Sequence, residues 1–310
     1  MVPRLPELLV IVGPTATGKT ELAVRLAEVV GGEVISADSV QIYRHFDIGS
    51  GKPTALERAR APHHLVDAIE PGDLMDAARW AELAAGLIDE VRTRGRHPIV
   101  CGGTFLWVRA LLFGLAAAPP ADEAIRERHR ALVEGEGRPA LHATLAQVDA
   151  VAAARLAPND FIRVSRALEV FELTGRPLSS WQESHGFRDP RYEVRWLGVG
   201  HERAVLDERI GARVDAMLAA GWIDEVRGLL AAGYGEARPM RSVGYRQIWS
   251  YLDGACNLAQ ATARAQAATR QLAKRQITWL RSEPALAVLD PLDKATPRAI
   301  SEAVRGKMNE

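Results

Sequence analysis

The sequence predicts an α/β fold: a parallel sheet flanked by helices, with an inserted all-helical subdomain and a helical C-terminal region. Three observations carry that expectation. Short apolar runs alternate with amphipathic stretches in the first third, the texture turns helical after Gly114, and helical periodicity resumes from Glu202 to the end.

Leu8 to Val12 is a continuous apolar run, the pattern of a strand buried on both faces of a parallel sheet. From Lys19 to Val30, Leu22, Ala23, Leu26, Ala27 and Val30 recur at helical spacing, and Gly31-Gly32 reads as the C-cap. Val34 to Ser36 reads as a second strand. An amphipathic helix over about Ala77 to Arg94 precedes a third strand, His97 to Cys101. Ala116 to Pro120 is a hinge of small residues and proline, and Glu123 to Leu173 is helical in pattern. This divides the chain into a core, residues 1–115 and 191–310, and a helical insertion, residues 116–190. Arg195 to Gly200 is one more strand.

Lys plus Arg and Asp plus Glu both number 39, so any basic footprint must be local rather than global. Cys101 and Cys256 lie in no CxxC or Cys/His pattern and read as buried small hydrophobes. No apolar run is long enough to span a bilayer and the first residues lack the pattern of a signal peptide, so the expected compartment is the cytoplasm.

Gly13-Pro14-Thr15-Ala16-Thr17-Gly18-Lys19-Thr20 matches G-x-x-x-x-G-K-[ST] in full, between a buried strand and an amphipathic helix. Its glycines let backbone N–H groups turn toward phosphate oxygens, Lys19 neutralises charge, and the Thr20 hydroxyl suits Mg²⁺. The sheet is therefore P-loop NTPase-like. Alone, this loop would mean ATP or GTP and a small-molecule or nucleoside kinase.

Asp38-Ser39-Val40-Gln41-Ile42-Tyr43 follows the second strand at the carboxyl edge of the sheet. Asp38 there could take a proton from a nucleophile or hold Mg²⁺ through water, and Gln41 could bond a planar base; an Asp-Ser helix cap is equally open. Ile48-Gly49-Ser50-Gly51-Lys52-Pro53, His63-His64-Leu65-Val66-Asp67 and Gly102-Gly103-Thr104 are loops expected on the same edge.

With these segments, Asn159-Asp160 followed by Arg163, Arg166 and Glu169, then Arg241 to Gln247 and Thr269 to Arg281, the sequence resembles the tRNA dimethylallyltransferases of bacterial type nearly end to end. No Cys/His zinc module of the kind some eukaryotic members carry is present. The resemblance implies transfer of a dimethylallyl group from dimethylallyl diphosphate to the exocyclic amine of the adenosine 3′ of the anticodon. It assigns Asp38 as general base, the P-loop with Mg²⁺ to the diphosphate, and Thr104 and Arg213 to the catalytic surround. It implies a tRNA anticodon stem-loop as partner; a monomer is expected, although the sequence carries no signal of oligomeric state. Three departures stand out: Ser50-Gly51 where Thr-Ala is usual, Thr17 where Ser is commoner, and Met75-Asp76 where Tyr-Ser is expected.

A tRNA surface has residues to draw on. On a helix through Ala261 to Arg281, the residues Ala261, Ala265, Ala268, Leu272 and Trp279 share an apolar face and Arg270, Lys274 and Arg281 oppose it, with Arg275 beside them. Arg241, Gly244, Tyr245 and Arg246 add phosphate contact and a ring for stacking on an unstacked base. Asp38, Ser39, Val40, Gln41 and Thr104 would meet the acceptor nucleotide, and Arg126, Arg163 and Arg166 would extend the surface. The rivals are an adenylate prenyltransferase, a nucleoside kinase, and an RNA-binding protein that has lost catalysis.

Overall fold

The computed structural model describes residues 8–187, 189–283 and 287–289. Its described residues form two compact units, one from the stretches up to Leu112 and from Arg191 onward, the other Phe113–Pro190.

The first unit is built on β1 (Leu8–Val12), β2 (Gly32–Ala37), β3 (His63–His64), β4 (His97–Gly102), β5 (Val194–Val199) and β6 (Ala287–Leu289). They form one parallel sheet in the order β3-β2-β4-β1-β5-β6. Its central strand is fully buried, because parallel strands joined by helical crossovers are covered on both faces. Around the sheet lie α1 (Lys19–Val30), α2 (Ala55–Arg60), α3 (Ala77–Thr93) and α4 (Phe105–Phe113). Leu22, Ala23, Leu26 and Ala27 of α1 bury against Leu9, Ile11, Ile99 and Leu197, which fixes the start of α1 over the ends of β1 and β4.

The second unit holds α5 (Glu123–Glu136), α6 (Arg138–Val148), α7 (Ala150–Arg155), α8 (Phe161–Thr174) and α9 (Leu178–His185), packed on Leu141, Leu145, Val164 and Leu168. The rest of the first unit is α10 (Arg203–Ala219), α11 (Trp222–Ala231), a 3-10 turn at Arg238–Arg241, α12 (Tyr245–Leu252) and α13 (Leu258–Arg281).

Four expectations are corrected. Only Gly31 caps α1, in the left-handed region that glycine adopts at least cost, while Gly32 already belongs to β2. His63–His64 is a short edge strand rather than a loop. Ala287–Leu289 is a strand where helix was expected to the end; residues 290–310 lie outside the described residues. Cys256 is half-buried, whereas Cys101 is buried as expected. The Met75-Asp76 departure has a local explanation: Asp76 caps α3 by accepting from the Arg79 N–H, and Met75 is buried.

Candidate active site

β1 is followed by Gly13, where a Cβ would lie 2.3 Å from the Val199 carbonyl oxygen, so the approach of β5 demands glycine. The loop that follows turns through the left-handed region at Ala16 (φ 64°) and Gly18 (φ 88°). The alanine costs about 1 kcal/mol there, strain that only surrounding bonds sustain. Those bonds are present. The Thr17 hydroxyl and the Lys19 ammonium both donate to the Pro14 carbonyl, and the Arg209 guanidinium donates to the Ala16 carbonyl at 2.8 Å. The Thr15 N–H donates to Gln276 Oε1 at 2.9 Å. Thr17 is fully buried, and its bond to Pro14 satisfies the hydroxyl there, a bond that either Ser or Thr can make.

The start of α1 and the loops beyond β2 and β4 enclose a cleft of about 1340 Å³, lined by Thr15 to Glu21, Asp38 to Gln41, Asp47 to Thr54, Asp67, Cys101 to Thr104, Arg213, Trp222 and Gln276 among others. That exceeds the ~300–1,000 Å³ usual for a single small ligand, so it has room for two reactants. Strand ends in an open parallel sheet are where such crevices form.

Of the cations that line this cleft, Arg44, Lys52 and Arg58 are paired with carboxylates, whereas Lys19 and Arg213 have none within salt-bridge distance among the described residues. Burial pulls Lys19 down from an ordinary 10.5 to about 8, with Arg213 opposing its charge and Asp38 supporting it. Burial likewise lowers Arg213, with Asp38 again supporting the charged form. Cations held at such a cost mark a place where an anion belongs. The cleft also contains the Cys101 thiol, pushed up to about 12 by burial, with Sγ donating to the Lys19 carbonyl oxygen at 3.7 Å.

Asp38 caps no helix. Its Oδ1 accepts from the Val40 and Gln41 N–H groups at 2.9 and 3.2 Å, a turn that presents the carboxylate to the cleft. The neighbouring Ser39 N–H donates to Thr104 Oγ1 at 3.1 Å, so the loop carrying Asp38 and the loop carrying Thr104 are joined.

Gln41 is not available to a base. Its amide accepts from the Ser36 hydroxyl and donates to the Ser50 and Gly51 carbonyls, which spends it on holding the loop over 48–52. Within that loop Gly51 has φ +61°, and a Cβ there would lie 1.9 Å from Arg213 Nη2. The Ser50-Gly51 departure therefore makes room for the arginine. Lys52 is bound to the Tyr43 carbonyl and the Asp47 and Asp67 carboxylates, and Asp67 lines the cleft while His63 and His64 do not. His64 pairs instead with Glu33, at 2.7 Å.

Tyr245 cannot stack on a base. It is fully buried against Phe46 and Trp222, and its hydroxyl donates to Glu225 at 2.7 Å. Gly244 is buried too, its missing Cβ replaced by the Trp222 ring. Arg241 and Arg246 are exposed, Arg241 pairing with Glu236.

On α13 the buried residues are Ala261, Ala265, Ala273, Gln276 and Leu280; Ala268, Leu272 and Trp279 are only half-buried, so the inner face is rotated from the expected one. Trp279 stacks on Phe105, and Leu272 lines the cleft. Arg270, Lys274, Arg275 and Arg281 are exposed, with Arg270 3.7 Å from Asp207.

In the insertion, Arg126 and Arg166 are bound to the fully buried Glu169 at 2.9 and 2.6 Å, leaving Arg163 as the exposed member of that trio. Both arginines are thus structural braces.

Three cleft supports were not foreseen. Glu225 accepts from the Asp47, Ile48 and Gly49 N–H groups and pins that loop, but an acidic residue on a surface helix carries no signal of such a duty. Arg209 was equally silent. Gln276 offered one signal, a polar residue inside a motif already singled out, on a helix whose neighbours bury.

The family model for IPP transferase matches residues 41–283, a span that starts after the P-loop and Asp38. The tRNA dimethylallyltransferase of Sorangium cellulosum is 62% identical over 284 residues, covering 91% of this chain and 90% of that relative. Among solved structures, the tRNA isopentenylpyrophosphate transferase of Bacillus halodurans is similar with a TM-score of 0.70 and 39% identity, over 95% of this chain and 93% of the other. A eukaryotic dimethylallyltransferase acting on tRNA is similar with a TM-score of 0.76 and 25% identity, over 94% of this chain and 77% of the other.

Proposed function

The chain belongs to the IPP transferase family and is a prenyltransferase acting on tRNA, and from that premise we propose how the cleft performs the transfer. The donor is dimethylallyl diphosphate, its diphosphate held by the start of α1, Lys19 and Arg213. The acceptor is the exocyclic amine of the adenosine 3′ of the anticodon, entering beside Asp38 and Thr104. The amine nitrogen bonds to the allylic carbon as that carbon's bond to the diphosphate oxygen breaks; the displaced proton passes to Asp38 and the leaving group departs as diphosphate.

An aryl amine is a poor nucleophile, so a carboxylate accepting its proton contributes about 10²–10⁴-fold. Charge grows on the diphosphate as the allylic bond breaks, and fixed cations meet it without reorganising. The observation that carries this reading is the pair Lys19 and Arg213, held in the cleft beside a P-loop without a carboxylate partner among the described residues.

Mg²⁺ suits the donor set. The described residues contain no group of three His, Cys, Asp or Glu able to hold a metal, so an ion would rest on Thr20, on Asp38 through water, and on phosphate oxygens, as Mg²⁺ commonly does. Its chemistry there is to neutralise leaving-group charge. Exposed Arg270, Lys274, Arg275 and Arg281 of α13, with Arg241 and Arg246, supply phosphate contacts for the anticodon stem-loop. The enzyme acts as a monomer in the cytoplasm. The kinase alternative is not favoured, because family membership and relatives both point to prenyl transfer.

The test is incubation with labelled dimethylallyl diphosphate, Mg²⁺ and unmodified tRNA, with labelled ATP as a parallel donor. Label from the prenyl donor should appear in tRNA at the adenosine; phosphate transfer without prenyl transfer would sink the reading.

A further inference from the structure

A P-loop ordinarily receives a nucleoside triphosphate, and the polar groups of this one are not all open to a ligand. Backbone N–H and C=O groups are obligatory hydrogen-bonding sites, so each can be accounted for. Pro14 has no N–H. Its carbonyl is taken by Thr17 and Lys19, the Ala16 carbonyl by Arg209, and the Thr15 N–H by Gln276 Oε1. Pro14 and Thr15 thus offer no N–H to a ligand, and the N–H groups toward the start of α1 remain for phosphate.

Gln276 lines the cleft, as Thr17 and Lys19 do, but comes from α13 rather than from the loop itself. It is buried, and its Nε2 donates to the Gly103 carbonyl at 2.9 Å, so the amide is held at both ends between the P-loop and the Gly-Gly-Thr loop. A Cβ at Gly103 would lie 2.3 Å from Gln276 Nε2, so the glycine lets the amide seat where it does.

We propose that Gln276 is a specificity-determining residue: by occupying the Thr15 N–H and the space beside it, it closes the loop to a third phosphate and restricts the site to diphosphates. The proposal rests on the reading that the P-loop holds a diphosphate. It accounts for how a motif shared with triphosphate-binding proteins serves a different ligand.

The experiment measures the affinities of inorganic diphosphate and inorganic tripolyphosphate, each with Mg²⁺, for the full chain and two variants by calorimetry. The unsubstituted protein should prefer diphosphate. Gln276→Ala should shift the tripolyphosphate-to-diphosphate affinity ratio toward tripolyphosphate by roughly tenfold, the size of one hydrogen bond to a charged group. Gln276→Met, which keeps the volume and adds no charge but removes the acceptor for Thr15, should shift the ratio in the same direction by a smaller factor. An unchanged ratio in Gln276→Ala, with both affinities falling together, would show a merely structural side chain and overturn the proposal. So would equal affinity of the unsubstituted protein for the two anions. Prenyl transfer to tRNA, assayed on the same preparation, reports on the underlying reading separately.

Discussion

The cleft and the insertion each bury charge, and they treat it in opposite ways. In the insertion, the fully buried Glu169 carboxylate accepts from Arg126, Arg166 and the Asp122 N–H, and although burial pushes its pKa up, those bonds bring it below the ordinary value. In the cleft, Lys19 and Arg213 have no such partner among the described residues, and burial lowers both. A buried ion whose bonds are complete serves the fold, whereas a buried ion left wanting a counter-charge serves a ligand. The same arginine side chain reads as brace or as anion grip according to what faces it, which spacing along the chain does not reveal.

If that contrast holds, substitutions in the two regions should separate activity from stability. The largest effect is expected for Asp38→Asn, which retains the Oδ1 acceptor of the turn but cannot take a proton. Prenyl transfer under single-turnover conditions should fall by about 10²–10⁴-fold, while the unfolding midpoint and diphosphate affinity stay put. Activity close to the parent's would remove Asp38 from its role.

Glu169→Ala should do the reverse. It leaves Arg126 and Arg166 without their shared partner, a loss of about 3 kcal/mol read by urea unfolding. A change below about 1 kcal/mol would mean that solvent reaches the two arginines well enough to replace the carboxylate.

The pH dependence of diphosphate binding sharpens the contrast further. The folded-state pKa of Lys19, about 8, lies below its ordinary 10.5, so the fold sheds this proton earlier than the unfolded chain does. Between about pH 8 and 10.5 stability therefore rises with pH as the unpaired charge is lost, and below pH 8 the cost of the buried ammonium is present in full. Diphosphate supplies the missing counter-charge and restores the proton. Affinity should accordingly fall above pH 8, approaching tenfold per unit, with proton uptake seen as a buffer-dependent calorimetric enthalpy. Affinity flat from pH 7 to 9.5 would contradict this. The smallest effect belongs to the exposed helix face: Lys274→Ala should weaken tRNA binding severalfold and lower its salt slope by about one, and leave the binding of free diphosphate untouched.

Much of the site was legible because its parts are contiguous. The glycine pattern from Gly13 to Thr20, a buried strand before it and an apolar-striped helix after it are local facts of sterics and periodicity, and they fix the P-loop wherever the rest of the chain goes. Asp38 and Thr104 were placed by the rule that strand ends share an edge. The basic stripe of α13 followed from helical spacing, although its inner face was misjudged because Ala268 and Leu272 look apolar while the buried position is held by Gln276.

Tertiary structure decided the remainder. Tyr245 looked like a stacking ring until Glu225, twenty residues away, was seen to hold its hydroxyl inside the protein. Gln41 looked like a base reader until the Ser50 and Gly51 carbonyls took its amide. Thr15 and Gln276 are 261 positions apart, and Ala16 and Arg209 are 193 apart. A sequence states which polar groups exist, and for a glycine loop or a capped helix it also states their partners, because those lie within a few residues. For a side chain that bonds across the fold the partner is set by packing, and only the packed structure shows whether it is spent or available.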